Sequence, residues 1–306
     1  MSKIMIYDSH CHVVPHGFNA SRNSLYLDQL LSLMRKSSVK KALVTLNPFI
    51  CERMCLKNHY VYYTYIADKH CGKIVCQTCG KNIYSNEHDP YRHINVALIE
   101  ESQKYKDIIY PLVYLTTNKY TFQEEIDYFE KYYFDAFYGF KFISTFNAST
   151  VKELHKIRTR KPLLFHTKND EYAKPCDIIS VTDHLSVPII LAHFCSFDKN
   201  ALDVVSSRNN YFTDISPLLD LKSNYENKDI NKIFPIWNEY ESISFEKMFE
   251  SILHTVDYKK ILFGTDAPWG NMQDEIRYFN SLNFSRNISE KIYSDNLSAI
   301  ISFCSY

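Results

Sequence analysis

Four apolar runs in this chain each end in residues that can bind a metal ion. Ile4-Met5-Ile6-Tyr7 leads into Asp8-Ser9-His10-Cys11-His12, and Leu163-Leu164-Phe165 into His166. Ile189-Ile190-Leu191-Ala192 leads into His193, and Ile261-Leu262-Phe263 into Gly264-Thr265-Asp266. His10 and His12 are two apart, so on a strand both point to one face and can reach one ion. Neutral imidazoles with a carboxylate suit zinc, iron or manganese. Asp266 supplies charge and can also accept a proton from bound water. Each residue alone has a plainer reading. A single histidine pair is often core, and an aspartate after a strand is often a helix cap. Four such ends in order are harder to read as packing.

Such residues meet only if the runs form one parallel sheet. Strand-like runs cover 4–7, 39–46, 108–115, 136–143, 162–165, 187–192, 211–215 and 260–264. Helical patterns lie between them, at 25–35, 95–104, 122–132, 150–160, 177–185, 200–207, 245–256 and 275–282. Strands alternating with helices predict βαβ units. Eight units in 306 residues predict a (β/α)8 barrel as one domain over 1–306, with an open doubly wound sheet as the alternative. From Lys141 to His166 to His193 the steps are 25 and 27 residues. Each is about one βα unit, so neighbouring strands present these side chains side by side.

Two segments break the rhythm, 50–91 and the polar stretch 216–244. Both are expected in loops at the C-terminal face, where barrel active sites are built. The first holds Cys51, Cys55, Cys76 and Cys79 in a C-x3-C-x20-C-x2-C spacing. That spacing suits a closed structural Zn2+ with four thiolates, within a cysteine-rich insertion after the second strand. Cys71, His59 or His70 could replace one ligand. Cys11 and Cys195 are expected to pack beside the site, and Cys176 and Cys304 to be buried thiols.

Lys+Arg and Asp+Glu are both 35, so no global charge steers the chain toward nucleic acid or an anionic membrane. A small-molecule substrate is the expected partner. No stretch nears the roughly 20 apolar residues of a membrane span. The opening MSKIMIYDSHCHVV lacks the pattern of a signal peptide. With nine cysteines, an odd number, reduced thiols and a cytoplasmic location are expected.

The pieces YDSHCHVVP (7–15), YGFKFI (138–143), LLFHT (163–167), IILAHF (189–194), LFGTDAPWG (262–270) and KIYSDNLSAII (291–301) resemble the amidohydrolase superfamily. The likeness is to its branch of decarboxylases and lactone hydrolases, and it spans nearly the whole chain outside 50–91. It implies metal ligands His10, His12, His166 and Asp266, with Zn2+, Mn2+ or Fe2+ as the ion. It implies that His193 binds a second metal or acts as the catalytic electrophile. Lys141 matches a position that in some members is carbamylated and bridges two metals. A homodimer is also implied.

Metal chemistry then supplies a mechanism. A bound ion lowers the pKa of water from about 15.7 to about 7. Asp266 takes the proton as general base. The hydroxide attacks an amide, lactone or ester carbonyl polarised by the metal and His193. In a decarboxylase the same site stabilises a carbanion. Asp8 is expected to orient His10 or His12, and Trp269 to line the substrate pocket. A TatD-like nuclease also opens with D-x-H-x-H, but it expects glutamate on the fourth strand, where this chain has Lys141. A PHP-type phosphoesterase ends in Asp-x-His, whereas Ala267 and Pro268 follow Asp266.

Overall fold

The computed structural model describes residues 4–20, 23–48, 50–52, 61–62, 91–115, 122–142, 153–170, 173–229, 232–235 and 237–303. Eight parallel strands follow one another in sequence order. They are β1 (Ile6–Val13), β2 (Val39–Leu46), β3 (Ile109–Leu115), β4 (Gly139–Phe142), β5 (Leu163–Phe165), β6 (Ile189–Leu191), β7 (Tyr211–Asp214) and β8 (Ile261–Leu262). Six of them are buried along their whole length, the pattern of a sheet covered on both faces. The chain beyond β8 closes the ring. The Ser9 amide donates to Phe263 O at 2.9 Å, Asp266 N to His10 O at 2.8 Å, and His12 N to Ala267 O at 2.7 Å. The result is the (β/α)8 barrel.

Side-chain parity sorts the barrel into layers. Tyr7, Leu43, Leu112, Leu164, Ile190 and Leu262 share an inner apolar cluster, closed by Leu297, Ile300 and Ile301. Alternating residues such as Val44, Phe140, Phe165 and Leu191 belong to the larger outer core. Two residues beyond the inner layer, the same inward parity delivers Lys141 after Gly139, His166 after Leu164 and Asp266 two beyond Gly264. On β1 an irregularity intervenes. Asp8 pairs with Ala42 and Cys11 with Val44, so three steps on β1 oppose two on β2. This bulge changes the parity. Tyr7 faces inward below it and Cys11 outward above it, which leaves His10 and His12 facing in.

Helices surround the strands, beginning with α1 (Leu27–Ser37), α2 (Arg92–Ser102), α3 (Phe122–Tyr132), α4 (Pro175–Thr182) and α5 (Lys199–Ser207). In α7 (Phe245–Val256), Ser244 caps the Lys247 amide, and Phe245, Met248, Phe249, Ile252, Leu253 and Val256 form one buried stripe. The polar stretch after β7 contains α6 (Leu218–Glu226), which composition alone did not suggest. The helix expected over 150–160 does not run its length. Among the described residues it ends by Leu154, with a turn before Ile157. Two further helices carry the end of the chain toward the barrel floor, α8 (Met272–Ser281) and α10 (Asn296–Phe303), separated by α9 (Arg286–Glu290). Among the described residues no helix is long and apolar enough to cross a membrane.

Cys51 lies on Ile50–Glu52, a short antiparallel strand between Asn19–Ala20 and Val61–Tyr62. Cys55, Cys76 and Cys79 fall outside the described residues, as do Cys71, His59 and His70.

Candidate metal centre

His10, His12, Lys141, His166, His193 and Asp266 come together at the C-terminal mouth of the barrel. His12 Nε2 lies 3.1 Å from His10 Nε2 and 3.1 Å from Asp266 Oδ1. His10 Nε2 lies 3.4 Å from the same Oδ1 and 3.0 Å from Lys141 Nζ. His193 Nε2 lies 2.8 Å from His166 Nδ1. Among the described residues, two overlapping groups have ligand atoms within 4.8 Å of one another, His10–His12–Asp266 and His10–His193–Asp214.

The partners behind each ring decide what the front can do. Leu46 O lies 2.9 Å from His12 Nδ1 and can only accept, so Nδ1 carries the proton and Nε2 a lone pair. His10 Nδ1 lies 3.1 Å from Asp214 Oδ2 and 2.9 Å from Ser216 Oγ. Ser216 Oγ gives its own proton to Asp214 Oδ1 at 2.6 Å, so His10 Nδ1–H is again the donor. Two imidazole lone pairs and a carboxylate oxygen therefore converge on one small volume. Like-polarity groups so placed need a cation between them. The Lys141 ammonium meets that need in part, and the donor set of two imidazoles and a carboxylate fits a divalent ion.

Burial sets the protonation states. It pushes His10 down to about 4, with Lys141 adding to the effect, and holds His166 well below its usual range, helped by His193 and Lys141. Both rings are neutral at pH 7, as ligation requires. Burial lowers Lys141 to about 8. For Asp266 burial acts upward, but His10 and His12 in their protonated forms outweigh it and hold the carboxyl well below the ordinary range, and a cation bound by the two neutral rings would act in the same direction.

Asp214, at the end of β7, is the group that sequence reasoning missed. Besides His10 and the Ser216 hydroxyl, its carboxylate accepts from Ser216 N at 3.0 Å and His193 N at 2.9 Å. Tyr211-Phe212-Thr213-Asp214 is a further run ending in an acid, and that pattern was the available signal. His193 opens five consecutive residues with φ between 48° and 63°, ending at Phe197. Left-handed backbone costs on the order of 1 kcal/mol per non-glycine residue. The turn is held by Asp214 on the His193 amide, by the His193 Nδ1 bond to Ser216 O, and by Phe234 N donating to Ser196 O at 2.8 Å. Gly264 allows the strands to approach here. A Cβ on it would come within 2.9 Å of both Ser216 Cβ and Ser9 Oγ.

Two expected roles change. Asp8 does not reach an imidazole. Its carboxylate accepts from the Thr265 amide at 3.0 Å, the Thr265 hydroxyl at 2.5 Å and the His10 amide at 3.0 Å, because β1 and the segment after β8 meet there. Trp269 packs edge-on against His12, with centroids 4.8 Å apart, and does not line the substrate-sized cavity. That cavity, of about 320 Å3, is bounded by His166, His193 and Asp266 on the barrel side and by Pro217, Asp220 and Leu221 on the other.

No protein-family model and no curated protein sequence matches the chain. Solved structures do. The 2,6-dihydroxybenzoate decarboxylase from Rhizobium matches with a TM-score of 0.59 at 14% identity, covering 99% of each chain. The fold they share with this chain is the (β/α)8 barrel. The 5-carboxyvanillate decarboxylase from Sphingomonas paucimobilis matches with a TM-score of 0.57 at 9% identity, over 98% of this chain and 99% of that one. A probable 2-pyrone-4,6-dicarboxylic acid hydrolase from Acinetobacter baumannii matches with a TM-score of 0.58 at 12% identity, over 97% and 99%. At these identities the likeness is one of fold.

Proposed function

We propose that this protein is a metal-dependent enzyme that hydrolyses an amide, lactone or ester bond of a small molecule, or decarboxylates a small acid. One observation carries the reading. His10 Nε2, His12 Nε2 and Asp266 Oδ1 lie within 3.4 Å of one another, with both rings turned so that lone pairs face inward. His10, His12, His166 and Asp266 would hold the ion. The ion would supply the Lewis acidity that lets water ionise near neutral pH and that polarises a carbonyl.

The chain's own groups do the rest. Asp266 stays ionised and is the base that receives a proton at its carboxylate. His193 Nδ1–H is committed to Ser216 O. Nε2 faces His166 Nδ1 at 2.8 Å, so it would donate toward a substrate oxygen only with a second proton on His193 and once turned from His166, and in that form it would stabilise negative charge on the oxygen. Support for the two chemistries comes from the neighbours, which include both decarboxylases and a hydrolase. Lys141, on the strand where the nuclease reading expects glutamate, lends that reading no help.

The test is turnover after reconstitution with Zn2+, Mn2+ or Fe2+, against amides, lactones and aromatic or β-keto acids. Release of CO2 marks decarboxylation, and incorporation of oxygen from labelled water marks hydrolysis. Turnover that is indifferent to chelation and to His10→Ala would overturn the proposal.

A further inference from the structure

Ser216 touches both sides of the centre, its hydroxyl against His10 Nδ1 at 2.9 Å and its carbonyl accepting from His193 Nδ1. It also immediately precedes Pro217, the N-cap of α6. The Pro217 side chain cannot cap that helix, so the first amides need acceptors from elsewhere. Glu275, on α8, provides them. Its Oε2 accepts from the Leu219 amide at 3.2 Å, and the Leu218 amide also faces the carboxyl. Glu275 is only 1% exposed, and no salt-bridge partner of it is seen among the described residues. The loop leading to α8 presses on the same point, since a Cβ on Gly270 would come within 2.9 Å of Pro217 Cβ. A buried carboxyl spent on the end of a helix is costly unless the placement of that end matters. Other ties on α6, from Lys222 to Glu246 at 2.7 Å and from the Tyr225 hydroxyl to Tyr240 O at 2.7 Å, lie further along and leave its start untouched.

We propose that Glu275 is a positioning residue for the metal centre: by capping α6 from another helix, it holds Ser216 against His10 and His193. The inference rests on the metal reading of the site. The charged groups that face Glu275 are Asp220 on α6 and Asp8 on β1, and both disfavour its ionised form. A neutral acid still accepts an amide bond through its carbonyl oxygen, so Glu275→Gln keeps the cap. Glu275→Leu keeps the volume and deletes it.

The experiment is Co2+ affinity of the full chain by chelator competition. Wild type, Glu275→Gln, Glu275→Leu, Ser216→Ala and the Glu275→Leu/Ser216→Ala double variant are compared. Glu275→Leu and Ser216→Ala are each expected to weaken binding about tenfold, as losses behind a ligand do. The double variant is expected to be no weaker than Glu275→Leu, because both act through Ser216. Glu275→Gln is expected to match wild type. Wild-type affinity in Glu275→Leu, or additive losses in the double variant, overturns this inference alone. No ion sensitive to His10→Ala overturns the proposed function as well. If Glu275→Leu does not fold, hydrogen exchange of the wild type decides. Slow exchange at the Leu218 and Leu219 amides is expected, and exchange as fast as an open helix end contradicts the cap.

Discussion

The amide of Asp266 donates to the carbonyl oxygen of His10 at 2.8 Å, which makes the first histidine and the last acid of the site neighbours across the closing seam of the barrel. Residues 256 positions apart in sequence are thus brought together by backbone pairing before any side chain contributes. Asp8 locks the same seam through Thr265 and the His10 amide. Asp8→Ala strands two buried amides without acceptors. It should lower the unfolding free energy by about 3 kcal/mol, read by urea denaturation. A loss below a few tenths would mean that the seam stands on packing alone.

Asp214→Asn keeps the shape of the hub but presents an amide nitrogen toward one of its donors. If that face meets His10, the proton moves to Nε2 and the ligating lone pair is lost. Metal affinity should fall ten- to a hundredfold, as is typical when the partner behind a ligand is removed. Unchanged affinity would show that the Ser216 hydroxyl alone sets the tautomer.

His193→Ala separates the two roles open to that residue. With His193 acting on the substrate, turnover falls by about 10²–10³ while the ion is retained. Loss of the ion along with turnover would make His193 a ligand.

Glu275 gives a pH signature. Burial, with Asp220 and Asp8 adding to it, raises its carboxyl from 4.5 to about 8. The folded chain therefore keeps a proton that the unfolded chain gives up near pH 4.5. Stability from this group is fully present below that pH and is lost as pH rises toward 8. Glu275→Gln cannot ionise, so thermal melts should show wild type falling behind it across this window. Parallel curves would contradict a buried, protonated Glu275.

The strands and the residues at their ends were legible because a parallel barrel buries both faces, so continuous apolar runs stand out and the first polar residue marks the mouth. His166, just beyond β5, follows that rule, and Asp266 comes directly after Thr265, the first polar residue beyond β8. The bulge on β1 was not legible. It arises from pairing with β2, and it turns His10 and His12 inward while Tyr7 remains inward below them. Asp214 was passed over because its role comes from contacts with His10, His193 and Ser216 on other elements. The left-handed turn at His193–Phe197 contains no glycine to announce it, since tertiary bonds hold it. Helix α6 was hidden by a polar composition, and its start is capped from outside the helix.

Metal content of the purified protein tests the central claim most directly, by elemental analysis of wild type, His10→Ala/His12→Ala and Cys76→Ser/Cys79→Ser. A divalent ion that the histidine variant loses and the cysteine variant keeps is the predicted result. If the cysteine segment also holds zinc, wild type carries about two ions and each variant about one. No ion in wild type after reconstitution, or a full complement in the histidine variant, would contradict a metal centre at the barrel mouth.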